Sequence, residues 1–108
     1  MDGPDQSEAE MGYRVDDRAI INRRLAASAF RPNRLRRDEP THDDDSGWVL
    51  MIGDEKPEDF GEPSRWAATQ LGYVTDLYPE LEDVFRRGEP GDIWEWDESL
   101  RRYRRVDE

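Results

Sequence analysis

The chain has 108 residues, of which 34% are hydrophobic and 40% charged, and its formal net charge is −11. This length suits one hydrophobic core, and the acidic balance argues against non-specific nucleic-acid binding, which needs cations to neutralise phosphates. Cysteine is absent, which excludes disulfides and thiolate metal sites. The N-terminus lacks the apolar stretch of a signal peptide, and the longest apolar run, residues 48–52, is too short to span a membrane. We therefore expect a cytoplasmic protein.

The N-terminal segment, residues 1–17, carries six acids against one arginine and has no apolar periodicity, which predicts a disordered acidic tail. The rest, residues 18–108, is expected to form a single domain. Two opposed charge blocks follow the tail: residues 18–37 hold seven arginines and no acid, and residues 38–62 hold ten acids and one lysine. Such blocks either pair with each other in the fold or leave one block to face a partner.

Five segments predict β-strands: 18–22, 33–37, 47–53, 92–96 and 102–106. The strand at 47–53 is apolar on both faces, which predicts a central place in a sheet. Residues 23–30 fit either a helical turn or a loop. The last two strands are expected to form a hairpin with three cross-strand pairs: Trp96 with Tyr103, Trp94 with Arg105, and Ile93 with Val106. This register joins two aromatic rings and places a cation against a third.

Apolar residues at three- or four-residue steps predict a helical region: Trp66, Ala67, Leu71, Val74 and Tyr78. The first few of these residues also fit a strand. Pro79 interrupts the pattern and suits the first turn of a second helical piece ending at Phe85. The order of elements predicts an α+β fold, with a small antiparallel sheet of about five strands and two short helices around Pro79 packed on one face.

Candidate catalytic and metal-binding groups are few. The single histidine, His42, lies in an acidic loop where nothing nearby would orient it as a base. Ser46 lacks the G-x-S-x-G context of a nucleophile, and the carboxylates at 43–45 and 54–55 lack EF-hand spacing. We therefore expect no catalytic, cofactor-binding or metal-binding residues, and a small hydrolase or metal-dependent enzyme is the least favoured alternative.

The segment 45–55 holds the most informative motif of the chain. Gly47 and Gly53 bracket the central strand at points where a positive φ is often needed. Trp48 is expected to pack in the core. Asp54 and Glu55 either bond turn amides or face a partner at the end of the strand.

The same motif, Asp45-Ser46-Gly47-Trp48 and then Gly53-Asp54-Glu55, resembles the D-S-G-W-x-x-x-x-G-D-E signature of a bacterial family. The family is immunity protein thirty-three of polymorphic toxin systems, formerly catalogued as a domain of unknown function. The resemblance covers roughly residues 18–106, with weaker similarity in three further segments: 71–72, 78–81 and 91–97. The chain departs from the family in its acidic tail, its arginine-rich 23–37 and Tyr78, which stands where the family has aspartate.

The resemblance implies a non-catalytic protein that neutralises a cognate toxin by stoichiometric binding. We expect a protein partner, with a basic toxin domain as the candidate, no nucleic-acid or membrane partner, and a monomer or weak homodimer. Binding would use the acidic loops 41–46 and 54–62 with aromatic anchors at the rim. The expected contact residues are Asp43, Asp44, Asp54, Glu55, Trp94 and Trp96. The alternative is a housekeeping regulatory or adaptor domain without a toxin partner.

Overall fold

A computed structural model describes residues 13–26 and 31–106 of the protein. Within these ranges the fold is α+β, as predicted, with one six-stranded sheet and three short helices. The strands are β1 Arg18–Asn22, β2 Arg34–Arg37, β3 Asp45–Met51, β4 Trp66–Gln70, β5 Ile93–Asp97 and β6 Arg102–Val106. The helices are α1 Arg23–Ala26, α2 Leu71–Leu77 and α3 Leu81–Arg87, and two 3-10 turns cover Pro57–Gly61 and Pro63–Arg65. None of these described helices has the length and apolar character needed to cross a membrane.

The strands follow the order β4-β1-β3-β2-β5-β6 across the sheet. β3 is buried from Ser46 to Met51, which confirms its predicted central place. The sheet is mixed, where an antiparallel one was predicted, because β1 runs parallel to β3. β2 pairs antiparallel with one side of β3. β1 joins the other side of β3, where a strand can pair in either direction.

The structure has one strand more than the five predicted. This strand, β4, lies where the apolar spacing predicted the start of a helix. Its five residues pair antiparallel with β1, from Arg18 opposite Gln70 to Asn22 opposite Trp66. The strand interpretation that the sequence left open is therefore correct for these residues. The helix begins at Leu71, and the two helices around Pro79 bury one apolar stripe that includes Leu71, Leu81 and Phe85.

Trp48 lies in the core with 1% of its surface exposed, which confirms the prediction. Its ring packs 5.4 Å from the ring of Phe85 in α3. The far edge of the indole rests on Gly88, where a Cβ would overlap it. Trp48 therefore joins the sheet to α3 through this aromatic contact, and its close approach requires glycine at position 88.

The β5–β6 hairpin has the predicted register, with Ile93 opposite Val106, Trp94 opposite Arg105 and Trp96 opposite Tyr103. The Trp96 and Tyr103 rings meet edge to face at 5.0 Å. The predicted cation–π contact on Trp94 has a different cation, because the guanidinium over the ring belongs to Arg87 of α3 and not to Arg105. Arg105 lies instead 3.8 Å from the Asp92 carboxylate.

Residues 13–17, predicted as part of the disordered tail, contact the domain. The Tyr13 ring meets that of Phe85 edge to face at 5.7 Å. The backbone amides of Leu71 and Gly72 donate to the carbonyl oxygens of Asp17 and Val15, at 3.0 and 2.8 Å. These bonds satisfy amides at the start of α2 that the helix itself leaves without acceptors. The rest of the predicted tail, residues 1–12, lies outside the described residues.

Deletion variants should separate the contribution of residues 13–17 to stability from that of residues 1–12. We expect removal of residues 1–17 to lower the thermal midpoint by more than about 5 °C relative to removal of residues 1–12. The longer deletion removes two acceptors of helix amides and the Tyr13 ring, and each hydrogen bond is worth roughly 1 kcal/mol. Equal midpoints in a calorimetric scan would show that residues 13–17 contribute nothing to stability.

Gly47 and Gly91 offer a matched test of the motif glycine. Both have a positive φ, +84° and +98°, and Gly53 has +116°, as expected for the motif. A Cβ at Gly47 would overlap the Asp38 carbonyl oxygen, whereas nothing lies within 4 Å of one at Gly91. We expect Gly91→Ala to lower the free energy of unfolding by about 1–2 kcal/mol for its backbone alone, and Gly47→Ala by about 3–5 kcal/mol. Urea unfolding measures both, and equal losses would exclude the clash.

Candidate functional site

The first half of the motif builds the start of β3. The Ser46 hydroxyl donates to the carbonyl oxygen of Arg18 at 2.7 Å and accepts the Trp48 amide at 3.1 Å. The Asp45 carboxylate accepts three hydrogen bonds, from the amide and hydroxyl of Thr41 and from the Gly47 amide, at 2.9 to 3.0 Å. These side chains therefore close the turn that leads into β3 and join it to β1.

The pKa of the Asp45 carboxyl lies below its ordinary value. Partial burial pushes this pKa up, but the bonds from the Thr41 and Gly47 amides and from the Thr41 hydroxyl outweigh it. Asp45 therefore adds stability above the pKa of the unfolded chain, and that stability is lost as the pH falls through the lower pKa of the folded state. This behaviour is that of a structural carboxylate.

The second half of the motif builds the end of β3. One oxygen of Glu55 accepts the Ile52 amide and the Asn22 side-chain amide, each at 2.7 Å, and the other oxygen accepts the Gly53 amide at 2.8 Å. The prediction that these acids bond turn amides is confirmed for Glu55. Asp54 is exposed and pairs with Arg24 at 2.6 Å. Glu55 is thus half-buried and occupied within the domain, whereas Asp54 is exposed.

The two acidic loops do not form one surface. The loop at 41–46 precedes β3 and the loop at 54–62 follows it, so the seven residues of β3 separate them. At about 3.3 Å per residue this strand is roughly 20 Å long. Asp43 and Asp44 are exposed in the first loop, and Asp44 pairs with His42 at 2.9 Å. The predicted contact residues Asp43 and Asp44 therefore lie at the opposite end of the sheet from Asp54 and Glu55.

The two tryptophans predicted as rim anchors are engaged within the domain. Trp94 is 4% exposed, so the prediction that it lies at an exposed rim is wrong. Trp96 is half-buried, its Nε1 donates to Glu98 at 2.7 Å, and the Arg31 guanidinium lies 4.0 Å from its ring centre. Arg31 also forms an ion pair with Glu80. Both predicted aromatic anchors thus stabilise the hairpin and its contact with the helices.

An apolar groove of about 580 Å³ lies where α1 and α2 meet β1 and β4. Most of its wall consists of aliphatic and small side chains: Ile21, Leu25, Pro32, Ala67, Thr69 and Val74. Tyr73 and Leu77 of α2 border the groove, and they are 62% and 55% exposed. Four residues apart on one helix, these two side chains stand next to each other. We call Tyr73, Leu77 and the groove beside them the docking face.

The docking face was missed in the sequence, although a signal for it exists. The buried stripe of α2 begins at Leu71 and includes Val74, and the periodicity predicted that stripe. Tyr73 and Leu77 form a second apolar pair with i, i+4 spacing, offset from the first. A short helix packs against the core of the domain with one apolar stripe. A second apolar stripe is left exposed, and it indicates a surface for contact.

No family model, curated protein or solved structure matches the chain. Across residues 13–26 and 31–106, no three histidine, aspartate or glutamate side chains are grouped as a metal ion would require. The candidate site is therefore defined by geometry: the motif side chains support β3, and the two most exposed of the large apolar side chains in the described residues, Tyr73 and Leu77, lie at the docking face.

Glu55 and Asp54 offer adjacent substitutions with opposite expected results. Glu55→Gln replaces one of two accepting oxygens by a donor that faces a backbone amide, so we expect a loss of roughly 1–3 kcal/mol in the free energy of unfolding. Asp54→Asn removes one exposed ion pair and should cost less than about 1 kcal/mol. Chemical denaturation at neutral pH measures both. Similar losses for the two variants would contradict the structural role of Glu55.

Proposed function

We propose that the protein is a non-catalytic binding protein that holds a partner protein on its docking face. The observation that carries this proposal is the exposure of Tyr73 and Leu77 beside an apolar groove, in a chain of which 40% is charged. Exposed apolar surface of this kind marks an interaction site when it is contiguous. Tyrosine at the border suits a binding anchor, because it buries a large area with few rotatable bonds.

The bonding of the motif supports a binding role. Ser46, Asp45 and Glu55 are the polar side chains that a catalytic interpretation of the motif would use, and each is engaged by backbone groups of its own turn or strand. A reacting group must be able to approach its substrate, whereas these groups hold β3 in place. The motif therefore supplies the scaffold, and the docking face supplies the contact.

The resemblance of the motif at 45–55 to immunity protein thirty-three adds a biological role to this proposal. In that role the protein acts in the cytoplasm and neutralises a cognate toxin by stoichiometric binding. A net charge of −11 favours a basic partner, because opposite charge raises the rate of encounter. A housekeeping adaptor would use the same docking face with a partner that is not toxic, so the identity of the partner separates the two roles.

The immunity role is tested at the native locus. Reading frames that flank the gene are expressed singly in a bacterial host, and we expect one of them to arrest growth. Co-expression of this protein should restore growth and give a one-to-one complex in solution. A locus in which no flanking product arrests growth, while a non-toxic flanking product binds, would support the adaptor role instead.

The docking face is tested with a matched exposed leucine. Tyr73→Ala combined with Leu77→Ala should weaken partner binding by at least about 30-fold, because hot-spot truncations cost roughly 2 kcal/mol or more. Leu100→Ala is the control, since Leu100 is 54% exposed and lies in the turn between β5 and β6. The control should change the Kd by less than about 3-fold. Calorimetric titration measures the Kd, and unchanged binding in the double variant would exclude this face.

A further inference from the structure

The two edges of the described sheet differ in chemistry. β4 lies at one edge and β6 at the other. β6 contains three exposed arginines, Arg102, Arg104 and Arg105, and charged side chains protect an edge from pairing with another strand. β4 has the sequence Trp-Ala-Ala-Thr-Gln and carries no charge. Such an edge is open to an added strand unless something covers it.

The backbone of β4 presents hydrogen-bonding groups to this open side. In an antiparallel pair, residues alternate between those bonded to the neighbouring strand and those whose N–H and C=O point away. The Leu71 amide donates to Asp17, which continues the β1–β4 ladder by one pair. Residues bonded to β1 recur at every second position before Leu71, so Thr69 and Ala67 bond to β1. The N–H and C=O groups of Ala68 therefore point outward.

Apolar side chains flank this edge on both faces of the sheet. Ala67 and Thr69 line the groove of the docking face, next to the exposed Tyr73. Ala68 also borders this groove. Its side chain, by strand alternation, points to the opposite face, where it pairs with Ile20, which is 41% exposed. An added strand places alternate side chains on the two faces, so one set would enter the groove and the other would lie on the solvent-exposed side of Ile20 and Ala68.

The two ends of the β4 edge differ in charge. At the Trp66 end a depression is lined by Arg23, Arg24 and Arg65, of which Arg24 and Arg65 pair with Asp54 and Asp59. The Gln70 end indicates what kind of strand the edge takes. Where β4 passes into α2, a second surface depression is lined by Gln70, Tyr73 and three acids: Asp16, Asp76 and Glu82. These acids and the net charge of −11 attract a basic strand. A second copy of this chain brings the same negative charge to the same edge, which opposes pairing between two copies.

We propose that β4 receives an extended, basic strand of the partner as a seventh strand of the sheet. The main chain of that strand pairs with the outward groups of β4, and its apolar side chains, at every second position, enter the groove beside Tyr73 and Leu77. This mode of binding rests on the proposed function, because it assumes that the docking face holds a protein. It goes further in naming main-chain pairing as the source of affinity and a basic strand as the ligand.

The test uses the full chain, isotope-labelled for NMR, and two capped nine-residue peptides. One peptide alternates valine and lysine, and the other alternates valine and glutamate. We expect the lysine peptide, at up to about 1 mM, to shift the amide signals of β4 and to slow hydrogen exchange at Ala68 and Gln70. The glutamate peptide should bind at least about 10-fold more weakly. Shifts confined to β6, or none with either peptide, would overturn the proposal.

A substitution at Ala68 isolates the main-chain contribution. Ala68→Pro removes an outward N–H that β1 does not use, and proline is tolerated at an edge in that position. It should abolish peptide-induced shifts in β4, whereas Ala68→Val keeps the N–H and should bind within about 3-fold of the parent. Should Ala68→Pro not fold, the exchange rates of the parent with peptide decide the matter. Exchange at Ala68 that is not slowed by bound peptide would overturn the proposal.

The outcomes also separate this proposal from the proposed function. Loss of partner binding in the Tyr73 and Leu77 variant, with full binding in Ala68→Pro, would keep the docking face and overturn strand addition. A different result would overturn the proposed function and leave strand binding at β4 standing. In that result the Tyr73 and Leu77 variant experiment and the native-locus experiment both fail, while the peptide still binds at β4. A dimer in sedimentation that Ala68→Pro abolishes would assign the edge to a second copy and overturn the basic-strand proposal.

Discussion

Strand β3 is buried from Ser46 to Met51, and both ends of it must satisfy polar groups that the sheet does not reach. The motif does this within a few residues of chain, with Asp45 and Ser46 at one end and Glu55 at the other. A buried amide without an acceptor costs roughly 1–3 kcal/mol, so several such losses would remove most of the stability of a small domain. The order of the sheet depends on this strand, because β1 and β2 pair with its two sides.

Local sequence predicted those parts of the fold that local physics decides. The apolar run around Trp48 is buried in the core of a domain of this size. The hairpin register follows from the aromatic pair of Trp96 and Tyr103. The direction of β1 relative to β3 depends on the path of the chain between them, which passes through α1 and β2, and no local pattern encodes that path. β4 was ambiguous because Trp-Ala-Ala-Thr-Gln fits both periodicities, and only its pairing with β1 decides between them.

The site was harder to predict than the fold because residue type alone does not determine the role of a side chain. Asp54 and Glu55 are adjacent acids, yet one pairs with an exposed arginine and the other binds two backbone amides and a side-chain amide. Trp94 was expected at a rim because tryptophan suits anchors, but the same ring area also suits a core. Tyr73 and Leu77 follow the helical period and were hidden by the stronger stripe beside them.

The charge blocks matter more for association than for stability. Among the described residues, arginines of 18–37 pair with acids of 38–62, for example Arg18 with Asp44, Arg24 with Asp54, and Arg36 with Asp38. These pairs are largely solvent-exposed, and exposed pairs contribute only about 0–1 kcal/mol each. An excess of eleven negative charges remains after all pairing, and such a charge opposes contact between copies of the chain. In the strand addition that we propose, the same charge opposes pairing between two β4 edges and attracts a basic strand to one of them.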